Sequence, residues 1–344
     1  MTEKNNLSPT PASQDTMMQL IMGGAVTQFI GTAVKLGIPD VLKQGAVSAE
    51  EVAEQCNLRA GETYRFLRGL SVIGVVAELE QKKFSLTPVG QWLRSDIPGS
   101  FKPLAMMHSG IWSSQTYANL DHTLKTGESA FQKTFGCHMF EWLSENPDIG
   151  ELFGRAMSTY SGMEIALVVD TYDFSGANCI VDVGGSHGDL LSMILANTPD
   201  VRGILFDMPA VVEEAKSYVS NDIAQRIDFV GGSFFETVPT GGDIYMLKHI
   251  LHDWNNAKAA NILQNVVNAM SPGGRVLVIE QGITPPGVPG PGKMLDLSMM
   301  ILTEGGMERT SEQHRELFEN AGLKYVQTIQ TKGSVAIFEA VYPD

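Results

Sequence analysis

The stretch "LKHILHDW", residues 247–254, sets two imidazoles and a carboxylate, His249, His252 and Asp253, directly behind an apolar run. An imidazole titrates near neutrality, so one of these could act as a general base and take a proton from a reacting hydroxyl. A base of that kind wants a neighbour that orients its second ring nitrogen. Glu280, at the end of "RVLVIE", or Glu308, in "GGMERT", could supply it. The two histidines, three residues apart, could instead hold a metal ion, but no further ligand motif accompanies them.

A second stretch, "CIVDVGGSHGDLL" (179–191), runs an apolar strand into a glycine-rich turn. A dinucleotide phosphate loop would need a second glycine where Ser186 stands. The turn offers an acid instead, Asp182, followed by Gly184, Gly185 and Gly188. An acid repels phosphate but accepts hydrogen bonds from an ammonium group, so the loop reads better as a cradle for S-adenosylmethionine (SAM), which ends in an amino acid, with a plain glycine-rich βα turn as the alternative. Asp207, in "LFDMP", follows 19 residues beyond Gly188, where a carboxylate can hold the two hydroxyls of an adenosine ribose. A helix-capping role ahead of Pro209 is the alternative for this residue.

These residues need a scaffold, and the composition limits which. The 344 residues give room for two domains, and 43% hydrophobic with 18% charged residues is the balance of a soluble globular chain. A net charge of −15 argues against a nucleic-acid partner, which needs clustered lysine and arginine. Three scattered cysteines, Cys56, Cys137 and Cys179, suggest reduced thiols and a cytoplasmic setting. Residues 1–15 lack the apolar core of a signal peptide and are expected to be disordered. Thr16 to Val34 carries no charge. It is expected to be a helix buried in protein, at a subunit interface, rather than a membrane span.

The next elements have a familiar order. Ser48 and Glu51 form a capping box, a turn follows at Asn57, Tyr64, Leu67 and Leu70 recur at helical spacing, and "VVAELEQKKFSL" reads as a two-stranded wing. That is a winged helix-turn-helix, whose few arginines in an acidic chain favour a structural role over DNA binding. Residues 97–172 are helical, with aromatics and methionines interleaved. Such residues, Phe153 and Met157 among them, can be plain core or can line a pocket for flat aromatic molecules. From Ile180 strands and helices alternate and end in a hairpin around Lys332 and Gly333. This predicts a doubly wound sheet whose last strand runs antiparallel, with ligands beyond the carboxyl ends of its strands.

Taken in order, "VDVGGSHG", "LFDMP", "GGSFFE", "LKHILHDW", "MSPGGRVLVIE" and "GGMERT", behind a helical winged module, resemble the SAM-dependent O-methyltransferases of plant caffeate and flavonoid and bacterial phenazine and polyketide chemistry. The resemblance runs from about Met17 over nearly the whole chain. It implies an α/β fold: a Rossmann-like, seven-stranded SAM-binding sheet at 173–344, preceded by a mainly helical winged-helix dimerisation domain at 16–96 and a pocket-lining connection at 97–172. It also implies His252 as base with Glu280 and Glu308 beside it, and Gly184, Gly185 and Asp207 around SAM. Lys248, Ser233 and Phe234 would lie near the adenine, and Phe153, Met157, Met299 and Thr303 near the methyl acceptor. The expected partners are a small aromatic hydroxyl compound and a second copy of the chain, with no metal, nucleic acid or membrane. Transfer to carbon or nitrogen on the same scaffold, or SAM binding without transfer, are the alternatives. Two positions depart from the family pattern. Ser186 replaces a third consecutive glycine, tolerable in a turn with φ below zero, and Ser233 replaces an aspartate.

Overall fold

The computed structural model describes residues 10–343, which divide into two compact units. The first comprises the described residues up to Ser114 together with Asp148–Thr159. The second comprises Gln115–Pro147 and the chain from Tyr160 onward.

In the first unit, helix α1 (Pro11–Lys35) starts inside the segment expected to be disordered. Thr10 and Ser13 cap it reciprocally and Pro11 fits its first turn, so the local signal outweighs the polar composition. Residues 1–9 lie outside the described residues. By length and composition alone α1 could cross a membrane. Within one chain only Gly31, Ala33 and Val34 of it are buried, while Leu20 and Ile21 are 69% and 68% exposed, which leaves an apolar face uncovered by the described residues. Helix α2 (Ile38–Leu42) leads to β1 (Val47–Ser48) and to α3 (Ala49–Gln55), which opens with the predicted Ser48–Glu51 box. Asn57 takes the turn at φ +54°, and α4 (Ala60–Val72) buries Thr63, Leu67 and Leu70. The wing is β2 (Val76–Glu78) and β3 (Lys83–Leu86), in a sheet ordered β1-β3-β2. Helix α5 (Lys102–Ser109) follows, ahead of α6 (Ile111–Ala118).

Helices α7 (Leu120–Thr126), α8 (Ala130–Phe135) and α9 (Met139–Glu145) belong to the second unit, and α10 (Pro147–Thr171) continues into it from Tyr160. Part of the aromatic stripe is core, since Phe131, Phe135 and Trp142 pack with ring centroids 4.7 to 5.7 Å apart.

The sheet follows: β4 (Cys179–Val183), α11 (Asp189–Asn197), β5 (Arg202–Asp207), α12 (Pro209–Ala215), α13 (Asn221–Ala224), β6 (Ile227–Gly231), β7 (Ile244–Lys248), α14 (Asn256–Ala269) and β8 (Arg275–Glu280). Then come α15 (Gly292–Leu302), α16 (Ser311–Asn320), β9 (Lys324–Gln330) and β10 (Ala336–Val341). Seven strands stand in the order β6-β5-β4-β7-β8-β10-β9. All pairings from β6 to β8 are parallel, and β10 runs antiparallel to both β8 and β9. Val181, Val183 and Leu247 pack on one face and Ile180, Met246 and Ile279 on the other, as a sheet covered on both sides requires. From β4 the chain winds outward to β6, then returns past β4 to β7. The crevice for a ligand therefore opens at the carboxyl ends of β4 and β7.

Residues 115–147 fall in the second unit together with the sheet. Ser129 donates to the Ile301 carbonyl at 2.9 Å, and the Tyr117 and Ser298 hydroxyls are 3.2 Å apart, which ties residues 115–147 to α15.

Candidate active site

The turn after β4 is built on backbone geometry. Gly184 has φ +74°, and a Cβ there would strike Ile250. A Cβ on Gly185 would come within 2.9 Å of the Asp182 carboxyl carbon. Both N–H groups point at the Phe206 carbonyl of β5, at 2.8 and 3.3 Å. Ser186 corrects the expectation of φ below zero: it sits at +51°. Its N–H donates to Asp207 Oδ2 at 2.9 Å, and that charge-assisted bond holds a conformation a β-carbon disfavours. Gly188, at φ +80°, then starts α11.

Asp207 ends β5 with its other oxygen accepting the Met208 N–H at 2.7 Å. Burial raises its pKa against those two bonds and the nearby His187. Asp182 was expected to face an ammonium group, but it is 2% exposed and lies beneath Gly185. Burial, with the Asp207 charge adding to it and Lys248 opposing, pushes its pKa up to about 7. It supports the loop from below.

Lys248 and Ser233, expected near the adenine, also make internal contacts. Lys248 donates to Glu164 of α10 at 2.8 Å, which takes one of the three ammonium donors. Ser233 accepts the Phe235 N–H at 3.3 Å and caps its own turn. Phe234 does lie beside the loop, 3.8 Å from where a Gly184 Cβ would be, and edge-on to Phe235.

His252 sits in a 3-10 turn, Leu251–Asp253, after β7. Its Nδ1 is 2.6 Å from Glu308 Oε1, and its backbone N–H donates to Glu280 Oε1 at 2.9 Å. With Nδ1–H donating to a carboxylate, Nε2 keeps the lone pair, and Asp253 Oδ1 lies 3.7 Å from it. Burial alone would depress this imidazole. Asp253 and Glu308, with Glu280 the least of the three, outweigh burial and raise it to about 9. His249 is its opposite, at φ +53° with a ring 4.9 Å from that of His252. Burial and the Lys248 charge lower it to about 4 although Glu164 holds its Nε2 at 2.8 Å. One ring is thus poised to carry a proton and its neighbour is kept neutral. Among the described residues no group of three or more His, Cys, Asp or Glu is arranged to hold a metal ion.

Thr303 and Met299, expected near the acceptor, are buried in α15 and its end. The Thr303 hydroxyl donates to the Met299 carbonyl at 2.8 Å and accepts the Gly306 N–H at 3.0 Å, which fastens the 303–307 turn. Phe153 and Met157 lie on the first half of α10, in the other unit.

Two residues of the candidate site were missed in the sequence. Glu164 takes Lys248, His249 and Ser334, and nothing in an apolar helix marked it out. Arg309 is fully buried, and its guanidinium donates to the carbonyls of Leu251 and Trp254, both at 2.8 Å, and to Asn256 Oδ1. It braces both ends of the His252 turn. A lone arginine beside Glu308 in "GGMERT" was the available signal.

The same chain matches the O-methyltransferase domain over residues 117–324 and the O-methyltransferase dimerisation domain over residues 18–96. It belongs to the O-methyltransferase family. Phenazine O-methyltransferase PhzM of Lysobacter antibioticus is 38% identical to it over 341 residues, 99% of each chain. The crystal structure of LaPhzM superposes with a TM-score of 0.92 at 36% identity, covering 97% of this chain and 100% of that one. The structure of RosA from Streptomyces davawensis, an N,N-8-amino-8-demethyl-D-riboflavin dimethyltransferase, gives a TM-score of 0.83 at 27% identity, covering 97% and 99%. The protein is accordingly a SAM-dependent O-methyltransferase with a seven-stranded, mostly parallel sheet and an N-terminal dimerisation domain.

Proposed function

We propose that this O-methyltransferase methylates the hydroxyl of a small aromatic acceptor and that His252 is the general base. The observation that carries the reading is the short Nδ1 contact to Glu308, which leaves Nε2 as the basic nitrogen. His252 would take the hydroxyl proton at Nε2, and Glu308 would hold the resulting imidazolium. Glu280 would fix the turn through the His252 backbone. Because the proton moves through His252, the step needs no metal ion. The aromatic class rests on relatives such as the phenazine enzyme and 3-amino-4-hydroxybenzoate 4-O-methyltransferase of Streptomyces cremeus.

The strand-end residues suit the methyl donor. Asp207 would present a carboxylate to a ribose diol, and the bare Gly184–Gly185 backbone would receive the amino-acid end. Bound SAM supplies an electrophilic methyl on a sulfonium; the protein's part is to align it, exclude water and hold the proton. The dimerisation-domain match and the uncovered apolar face of α1 together support a homodimer.

The test is turnover of a phenolic panel by wild type and His252→Ala, with SAM affinity measured alongside. The variant should lose a factor of about 10²–10⁴ in rate while SAM still binds. Undiminished turnover would remove His252 from the role. A second reading, transfer to nitrogen, is favoured by the likeness to the riboflavin-type amine methyltransferase; fragmentation of the methylated product distinguishes N-methyl from O-methyl.

A further inference from the structure

Behind His252 lies a buried group that the proposed proton transfer leaves unused. His314, on α16, is fully buried, and its ring stacks on Phe338 of β10 with centroids 3.8 Å apart, which fixes its plane. Its Nε2 stands 3.6 Å from Glu280 Oε2. Neither atom has a hydrogen-bond partner among the described residues. The other Glu280 oxygen accepts the His252 N–H. Arg309 is the neighbouring cation, but its donors go to Leu251, Trp254, Met307 and Asn256, so it lends Glu280 charge without a hydrogen bond.

A carboxyl oxygen and an imidazole nitrogen that face each other in a dry site are satisfied by one shared proton, and a closure of a few tenths of an ångström brings them into bonding range. The surrounding charges decide which partner carries it. Glu308, Arg309 and His252 act on this pair from the 303–310 segment and the β7 turn, with Asp253 and His249 beside His252. Arg309 and a His252 imidazolium balance Glu308 and Asp253. An ionised Glu280 would add a third buried negative charge held by one backbone N–H, a costly arrangement.

We propose that Glu280 is protonated on Oε2 and donates to His314 Nε2, which makes His314 a positioning residue for His252, acting through Glu280. The inference rests on the reading of His252 as the base. In this arrangement Glu280 holds the His252 backbone without adding a charge that would lock the imidazole in its protonated form. The Gly282 backbone packs beside Phe338, where a Cβ would come 2.9 Å from the ring, so the platform under His314 has little room to shift.

The experiment is infrared difference spectroscopy on the full chain near neutral pH, with the pH profile of kcat/KM beside it. Subtracting Glu280→Gln from wild type should isolate the C=O stretch of a protonated, hydrogen-bonded carboxylic acid. Loss of a carboxylate band alone would overturn the proposal. In His314→Phe the acid loses its acceptor and ionises more readily, so the acid limb of kcat/KM should move up by about one pH unit. His314→Gln, whose amide oxygen can accept the same proton, should restore both the band and the limb. An unmoved limb in a folded His314→Phe variant would also overturn it. Should that variant fail to fold, the Glu280→Gln and His314→Gln spectra still decide. The infrared band does not depend on turnover, so failure of His252 as base, read from His252→Ala, is distinguishable from failure of this relay.

Discussion

His252 Nδ1 and Glu308 Oε1 stand 2.6 Å apart, at a place where both side chains are closed to solvent. A charge-assisted bond of that length in a dry site fixes the tautomer and raises the basicity of the ring at once. With the imidazole raised to about 9, the free enzyme holds it protonated at neutral pH. Below that midpoint the ring has no lone pair, so kcat/KM should fall tenfold per pH unit on the acid side. Glu308→Gln keeps an oxygen for Nδ1–H and removes the charge. Its acid limb should shift down by roughly one to two units, with a lower limiting rate. A pH–rate series on both proteins checks this, and superimposable limbs would count against the pairing.

Asp207 provides a second check. Its carboxylate accepts two backbone N–H groups and faces the proposed ribose position. Hydrogen bonds to a charged group are worth about 1.5–3 kcal/mol, so Asp207→Ala should weaken SAM binding by roughly 10- to 150-fold in calorimetric titration. Unchanged affinity would place the ribose elsewhere.

Gly306 tests the backbone under the base. A Cβ there would meet Thr303 Oγ1 and lie 2.6 and 2.8 Å from the carbonyl oxygens of His252 and Asp253. Gly306→Ala should destabilise the fold by about 1–3 kcal/mol and depress kcat more than SAM affinity, since the crowding falls on the His252 turn. Thermal melts and titration together read it. A loss of SAM affinity with kcat intact would contradict this placement.

Arg309 predicts a large structural effect. Its guanidinium satisfies Leu251 O, Trp254 O and Asn256 Oδ1 in a buried setting, and Arg309→Met would orphan all three. A loss on the order of 3–5 kcal/mol is expected in chemical denaturation. A fall of under 1 kcal/mol would mean that water replaces the guanidinium.

Much of this protein is local in origin and therefore legible in the sequence. Strand periodicity and the βα alternation gave every strand of the main sheet, and the Ser48–Glu51 box gave the start of α3, because propensity and capping act within a few residues. Strand ends drew attention to Asp207 and His252 for the same reason. What required the tertiary structure were pairings between distant segments. Glu164 meets Lys248 and His249 across 84 and 85 residues of chain, and His314 meets Glu280 only because α16 packs against the sheet beside β8 and β10. The burial of Asp182 and the internal hydrogen bond of Thr303 likewise came only with the structure, since a side chain's type says what it can bond and only packing says what it reaches. Ser186 is the clearest case: its residue type argues for φ below zero, and a carboxylate 21 residues away holds it above.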